Sequence, residues 1–286
     1  MKILIIQENG RHDGNREYRE CFCLQRAFWF HNVKADVWGL GHSNYDTEPD
    51  YESYDLIINL ENYDETGWVP SLRKVQTKKF LWSIDAHVKG INSYLQTAHD
   101  GNYSNILQAT PEFVGTHSVW FPNCYDDTLI KPLHIEKEYD CGFCGNVNNR
   151  EHLLQIMERN FNFKRDIFVI GDDMVRAINS YRVGFNANIS IDINYRNFET
   201  IGCNTVLLTS FNKHYESLGF VDGVNCLIYR NVEELVEKTN ILLSGSPITY
   251  RKTVIAGNEL AKKHTYNERV NSLLIALGGN SNEKKT

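Results

Sequence analysis

Short apolar runs rich in β-branched residues recur along this chain, separated by stretches with helical spacing. In the first half the candidate strands are residues 2–7, 33–38, 55–60, 79–84, 105–108 and 118–121. Between the first two, residues 15–31 carry Phe22, Arg26 and Phe30 at helical spacing. Strands that are apolar along their whole length, and not only at alternate residues, are covered on both faces. Their alternation with helices specifies an α/β fold on a parallel sheet. The rhythm restarts in the second half. Strands are expected at 139–145, 167–171, 183–186, 205–209 and 225–229, and helices at 150–160, 173–181, 195–201, 232–243, 247–263 and 266–277. The chain's 286 residues have room for two such domains. The expected division is 1–135, 136–264, a C-terminal helix over 265–278 and a disordered polar tail over 279–286. Pro122 and Pro132 bracket the approach to the seam. Two doubly wound, Rossmann-like domains facing each other would leave a cleft between the carboxyl ends of their strands, where ligands of such sheets bind.

Charge narrows the partners. Lys and Arg number 30 against 36 Asp and Glu, a net charge of −6, which excludes a strongly basic nucleic-acid coat. The imbalance lies in residues 1–135, with 12 basic and 18 acidic side chains; residues 136–286 hold 18 of each. No apolar run reaches the ~18 residues of a membrane span. The opening Met1-Lys2-Ile3-Leu4-Ile5-Ile6-Gln7 turns polar too soon for a signal peptide and reads as a buried first strand. Seven cysteines, an odd number with no export signal, imply reduced thiols in a cytoplasm.

The most informative segment runs from Asp192 to Thr209. Arg196 and Glu199 stand three apart and share one face of a short helix. A buried strand, Thr205 to Leu208, follows. An arginine at such a strand–helix junction can grip a diphosphate through its permanently charged fork. A carboxylate there can accept the two hydroxyls of a ribose. The plain alternative is an Arg–Glu surface pair.

Several segments in order resemble one family. Tyr139-Asp140-Cys141-Gly142-Phe143-Cys144-Gly145, Val169-Ile170-Gly171, the Ser180–Asn186 stretch, Arg196-Asn197-Phe198-Glu199, Gly219 through Leu235, and His264-Thr265-Tyr266-Asn267-Glu268-Arg269 resemble the CgeB-type (spore-maturation-like) glycosyltransferases. These are a branch of the two-domain GT-B nucleotide-sugar enzymes, and the resemblance covers roughly residues 139–270. It implies a donor domain in the second half and an acceptor-side domain in the first. It implies that Glu199 holds the donor ribose, that Arg196 and Tyr195 line the donor site, and that Asn186 sits at a strand end beneath the sugar nucleotide. It further implies metal-independent transfer with retention, from a nucleotide diphosphate sugar to a hydroxyl, with no other cofactor. Two departures stand out. Ile191 occupies a position that is often acidic, with Asp192 beside it, and Asn204 replaces a family glycine. Asn tolerates the left-handed backbone that Gly prefers.

The first half offers fewer signals. Gly10, Arg11 and Arg16 lie in a polar loop between the first strand and helix, where backbone N–H groups could meet a phosphate or sugar. Asp85 and His87 follow a strand and would emerge at the sheet's carboxyl edge. Asp85 is the candidate base on an acceptor hydroxyl and His87 its supporting group. Asn59 to Asp64 forms a second polar strand end pointing the same way. Arg73, Lys74, Lys78 and Lys79 read as a solvated helix face. Cys141-x-x-Cys144 lacks the further ligands a zinc site needs. Asp172-Asp173 reads as the first turn of a helix. No metal site is expected. The acceptor class stays open: glycan, protein, small molecule or, in a phage-type enzyme, a hydroxymethylated DNA base. A sugar-nucleotide-binding protein without turnover and a nucleotide-sugar epimerase are the remaining alternatives.

Overall fold

The computed structural model describes residues 1–10, 12–62 and 66–279. Arg11 and the tail from residue 280 lie outside the described residues. The chain divides into two compact units: Met1–Asn123 together with the C-terminal segment from Tyr266, and Cys124–Thr265.

In the first unit β1 (Lys2–Ile6), β2 (Lys34–Trp38), β3 (Leu56–Leu60), β4 (Lys78–Ser83), β5 (Asn105–Gln108) and β6 (Ser118–Trp120) form one sheet in the order β2-β1-β3-β4-β5-β6. Every pairing is parallel. Ile3 through Ile6 and all of β3 are buried, as expected for strands covered on both faces. Helix α1 (Glu20–Phe30) connects β1 to β2, and α2 (Ala86–Lys89) and α3 (Ile91–Asp100) follow β4. The final helix, α9 (Tyr266–Gly279), returns to this unit. Tyr266 packs edge-on against Trp82, the His31 ring meets the Asn267 carbonyl at 3.0 Å, and Arg269 Nε donates to the Pro122 carbonyl at 3.0 Å.

In the second unit β7 (Tyr139–Gly145), β8 (Phe163–Ile167), β9 (Tyr181–Asn186), β10 (Val206–Ser210) and β11 (Leu227–Tyr229) form a parallel sheet in the order β11-β10-β9-β7-β8. Helices α4 (Glu151–Asn160), α5 (Gly171–Ser180), α6 (Tyr195–Gly202), α7 (Val232–Ser244) and α8 (Pro247–Ala261) cover it. Cys141, Phe143, Val183, Phe185, Val206 and Leu208 build its core with Leu154 and Met157 of α4. Asn231 caps α7 by accepting from the Glu234 N–H at 2.8 Å. Asn204 takes the left-handed backbone, φ +53.

Two local expectations are corrected. The strand expected at 167–171 runs instead over Phe163–Ile167. This is an edge strand, where Lys164, Arg165 and Asp166 remain half-exposed, so its polar residues hid it while the apolar loop beyond resembled it. The basic cluster is not a helix face: Lys78 and Lys79 belong to β4, and Lys79 is buried.

Gly142 lets the β7 backbone pass the Tyr181 ring, which is buried and hydrogen-bonded to Asp166. A Cβ there would overlap the ring, which has no room to move. Gly142→Ala is expected to destabilise the protein by about 2 kcal/mol, in the range for overpacking, measured by urea unfolding.

Candidate active site

In both sheets the strand order reverses between two neighbours, and a crevice forms at their carboxyl ends. In the second unit that point lies between β7 and β9. The chain leaving β7 enters α4 through Arg150, and the chain leaving β9 enters α6 through Asn194, Tyr195 and Arg196.

Asparagines organise this crevice. Asn186, 2% exposed, ends β9, and its Nδ2 donates toward Asn188, Asn197 and Thr209, each at 3.3 Å. The Tyr215 hydroxyl donates to Asn197 Oδ1 at 2.8 Å and accepts from Asn188 Nδ2 at 2.8 Å. Asn197 Nδ2 donates to the Asn194 carbonyl at 3.0 Å, tying the start of α6 to the strand ends. A buried network satisfied in this way holds one geometry. Asn186 is therefore at the strand end the sequence indicated, and its side chain braces the floor of the crevice.

Above that floor Arg196 Nη1 meets Glu199 Oε2 at 2.9 Å. Their side chains are 20% and 13% exposed, too enclosed for an ordinary surface pair. Burial works against the Arg196 charge, but Glu199, with smaller help from Cys144, Tyr181 and Cys203, holds the guanidinium above its ordinary value. Both charges act on the thiol of Cys144 at the end of β7, which burial pushes up. Cys141 and Cys144 are three apart on a strand and face opposite ways. Among the described residues all seven cysteines are buried and none forms a disulfide, and no three metal-ligating side chains gather.

Arg150 is the functional candidate that sequence reading missed. It is 8% exposed, and it donates from Nε to the Ala187 carbonyl at 2.7 Å and from Nη1 to the Asn146 carbonyl at 2.8 Å. It thereby joins the loops after β7 and β9. Burial lowers its pKa, and the nearby Asp192 works the other way. A signal was available: an arginine at a helix start opposes the helix dipole, which suggests an anion to meet.

In the first unit the reversal lies between β1 and β3. Gln7 Nε2 donates to the Glu61 carbonyl at 3.3 Å, and Asn62 Oδ1 accepts from the Glu8 N–H at 3.0 Å. Gly10 holds φ +87 in the loop beyond, over the Arg19 side chain. Arg19 is buried and pairs with Glu8 at 3.3 Å. Arg16 is exposed.

Asp85 precedes α2 and is half-buried, with His87 within that helix. The N–H groups of Ile84 and Asp85 donate to Glu61 Oε2 at 2.9 and 2.8 Å, and Lys89 Nζ meets Oε1 at 2.8 Å. Burial opposes the Glu61 charge, but Lys89, Tyr94 and those N–H groups keep its pKa below the usual value. Burial first, and the Glu61 charge second, push the Asp85 pKa up, while His87 pulls the other way. Glu61 lies in the polar strand end the sequence marked, yet nothing there told it from its polar neighbours. A cavity of about 500 Å³ extends from this point, lined by Asn59, Glu61, Lys89, Tyr94 and Tyr103 among others. Asn59 is 5% exposed, and its Oδ1 has no hydrogen-bond partner among the described residues.

The family described as glycosyl transferase-like matches residues 128–275, just over half of the chain and nearly all of the second unit. The chain belongs to the glycosyl transferase-like family. No curated protein matches this glycosyltransferase. Solved structures do match along its length. Sucrose-phosphate synthase from Thermosynechococcus elongatus aligns with a TM-score of 0.65 at 12% identity, over 97% of this chain and 99% of that one. The HepE protein of Anabaena, in complex with UDP, aligns at 0.61 and 11% identity, over 96% and 100%. A DNA-modifying β-glucosyltransferase, studied with and without uridine diphosphoglucose, aligns at 0.65 and 14% identity, over 92% and 94%. At these identities the likeness is one of fold, and that fold is GT-B: two Rossmann-like units, each on a parallel sheet. Among the described residues of the glycosyltransferase no helix is long and apolar enough to cross a membrane.

Proposed function

We propose that this glycosyltransferase moves a sugar from a uridine diphosphate sugar to an acceptor hydroxyl. The observation that carries the reading is the enclosed Arg196–Glu199 pair, held by α6 at the strand reversal of the unit that the family match covers. Arg196 fixes Glu199 through Oε2 and leaves Oε1 for a ribose hydroxyl. Arg150 and Arg196 supply permanent positive charge at the ends of β7 and β9, which neutralises a departing diphosphate without a bound metal. Tyr195, at the start of α6, completes the proposed donor contacts of this unit. UDP is the nucleotide bound by the similar HepE protein, and retention at the anomeric carbon follows from the CgeB-type resemblance. Buried thiols outside any disulfide suit a reducing, cytoplasmic compartment.

The first unit takes the acceptor. An attacking hydroxyl must lose its proton, and a carboxylate whose pKa is raised above the usual Asp range is a better base. Asp85 fills that role, with His87 beside it. The partnerless Asn59 Oδ1 in the neighbouring cavity suits an acceptor bearing further hydroxyls. A modified DNA base has less support, because buried Lys79 leaves the basic cluster incomplete at the surface.

The test is calorimetry with UDP-glucose and GDP-mannose, followed by NMR of the hydrolysed donor. UDP-glucose is expected to bind, to hydrolyse slowly with or without EDTA, and to release α-glucose first. Absence of binding by both donors sinks the reading, and β-glucose as the first product overturns retention.

A further inference from the structure

Five described residues other than glycine hold positive φ: Asn32, Asn102, Asn149, Asn204 and Phe168. Asparagine tolerates this backbone; a bulky side chain does so only under strain. Phe168, at φ +56, gains no burial in return, since it is 77% exposed. A strained backbone that presents an exposed ring contributes nothing to folding, and such strain concentrates where a ligand is met.

Its position says which ligand. Phe168 is the first residue beyond β8, whose Ile167 is level with Gly145 at the end of β7. The next residue, Val169, accepts a hydrogen bond from Cys144 Sγ at 3.9 Å, and Cys144 lies within electrostatic reach of Arg196 and Glu199. The end of β7 therefore stands between the Arg196–Glu199 pair and Phe168. β9, which leads into the α6 that bears Glu199, and β8 flank β7 two strand spacings apart, about 10 Å, the length scale of a nucleoside. Charge orients that nucleoside. Arg150 and Arg196 stand at the β7–β9 end, while Asp172 and Asp173 open α5 just beyond Phe168. A diphosphate is drawn to the first end and repelled from the second.

We propose that the Phe168 ring is the stacking platform for the nucleobase of the donor. This rests on the donor reading of the Arg196–Glu199 site and extends it to the base. Aromatic stacking accepts any base face, and the nearby acidic pair favours a base edge that donates N–H, as uracil does.

Calorimetry with UDP on the wild type, Phe168→Ala and Phe168→Gly tests it. Loss of the ring is expected to weaken UDP by roughly 10-fold. Phe168→Gly should melt no lower than the wild type, because glycine takes positive φ without strain, so a misfolded variant cannot mimic the loss. Phe168→Trp should show emission quenched by UDP and by uridine but not by glucose 1-phosphate. If the wild type binds UDP and both truncations bind it equally well, the platform assignment is wrong and the donor reading stands. If the wild type binds neither UDP nor GDP, both fall.

Discussion

Glu199→Gln is expected to weaken UDP-glucose binding about 100-fold. Hydrogen bonds to a charged group contribute about 1.5–3 kcal/mol each, and each 1.4 kcal/mol is tenfold in affinity. The amide keeps the shape of the side chain but not its charge, so the ribose hydroxyls lose a charged acceptor. Arg196 loses its partner in the same step. Because the pair is 20% and 13% exposed, solvent screens part of that loss. Stability should fall by only about 1 kcal/mol, far less than the 3–5 kcal/mol of a fully buried pair. Calorimetry and urea unfolding separate the two effects. The 2′-deoxy form of UDP-glucose supplies the control: it should bind the wild type weakly, and Glu199→Gln should scarcely distinguish it from the ribose form. A variant that binds UDP-glucose like the wild type removes Glu199 from the donor site.

Asp85→Asn should lower kcat by 10²- to 10⁴-fold, the usual contribution of a positioned base, with little change in KM for the donor. The pH profile carries a sharper expectation. A base acts only when deprotonated, and burial together with the Glu61 charge raises the Asp85 pKa. The acid limb of kcat/KM should therefore lie above about 3.9, the value for a free aspartate, and activity should fall as pH drops through that raised pKa. Glu61→Gln removes the second cause and leaves burial in place, so the limb should move to lower pH without vanishing. An unmoved limb in Glu61→Gln, or an Asp85→Asn enzyme with wild-type kcat, overturns the assignment.

The sheets were legible because whole-length apolar strands have few other uses. Residues 105–108 were placed to the residue, and α6 to within one. What failed were elements whose residues answer to something other than the core. Helix α3 was overlooked because Asn92, Ser93, Gln96 and Thr97 dilute its apolar face, and only Tyr94 is buried. Edge strand β8 escaped because half-exposed charged residues look like loop. Arg196 and Glu199 were visible as a spaced pair. Arg150 and Glu61 were not singled out, since their meaning depends on neighbours far along the chain: Ala187 for one, Lys89 and Tyr94 for the other. Periodicity reports which side of an element faces the core, and it is silent on which strand ends meet.

The second unit is one uninterrupted stretch, while the first needs α9 from the far end of the chain to complete it. A ribosome makes residues in order, and units fold as their last residues emerge. The second unit can thus close upon itself during synthesis, while the first waits for α9, which packs beside α1 and buries Tyr266, Val270 and Leu273. A chain stopped before α9 would hold a finished second unit and an unfinished first one, so premature termination should yield aggregates that still carry a folded second unit.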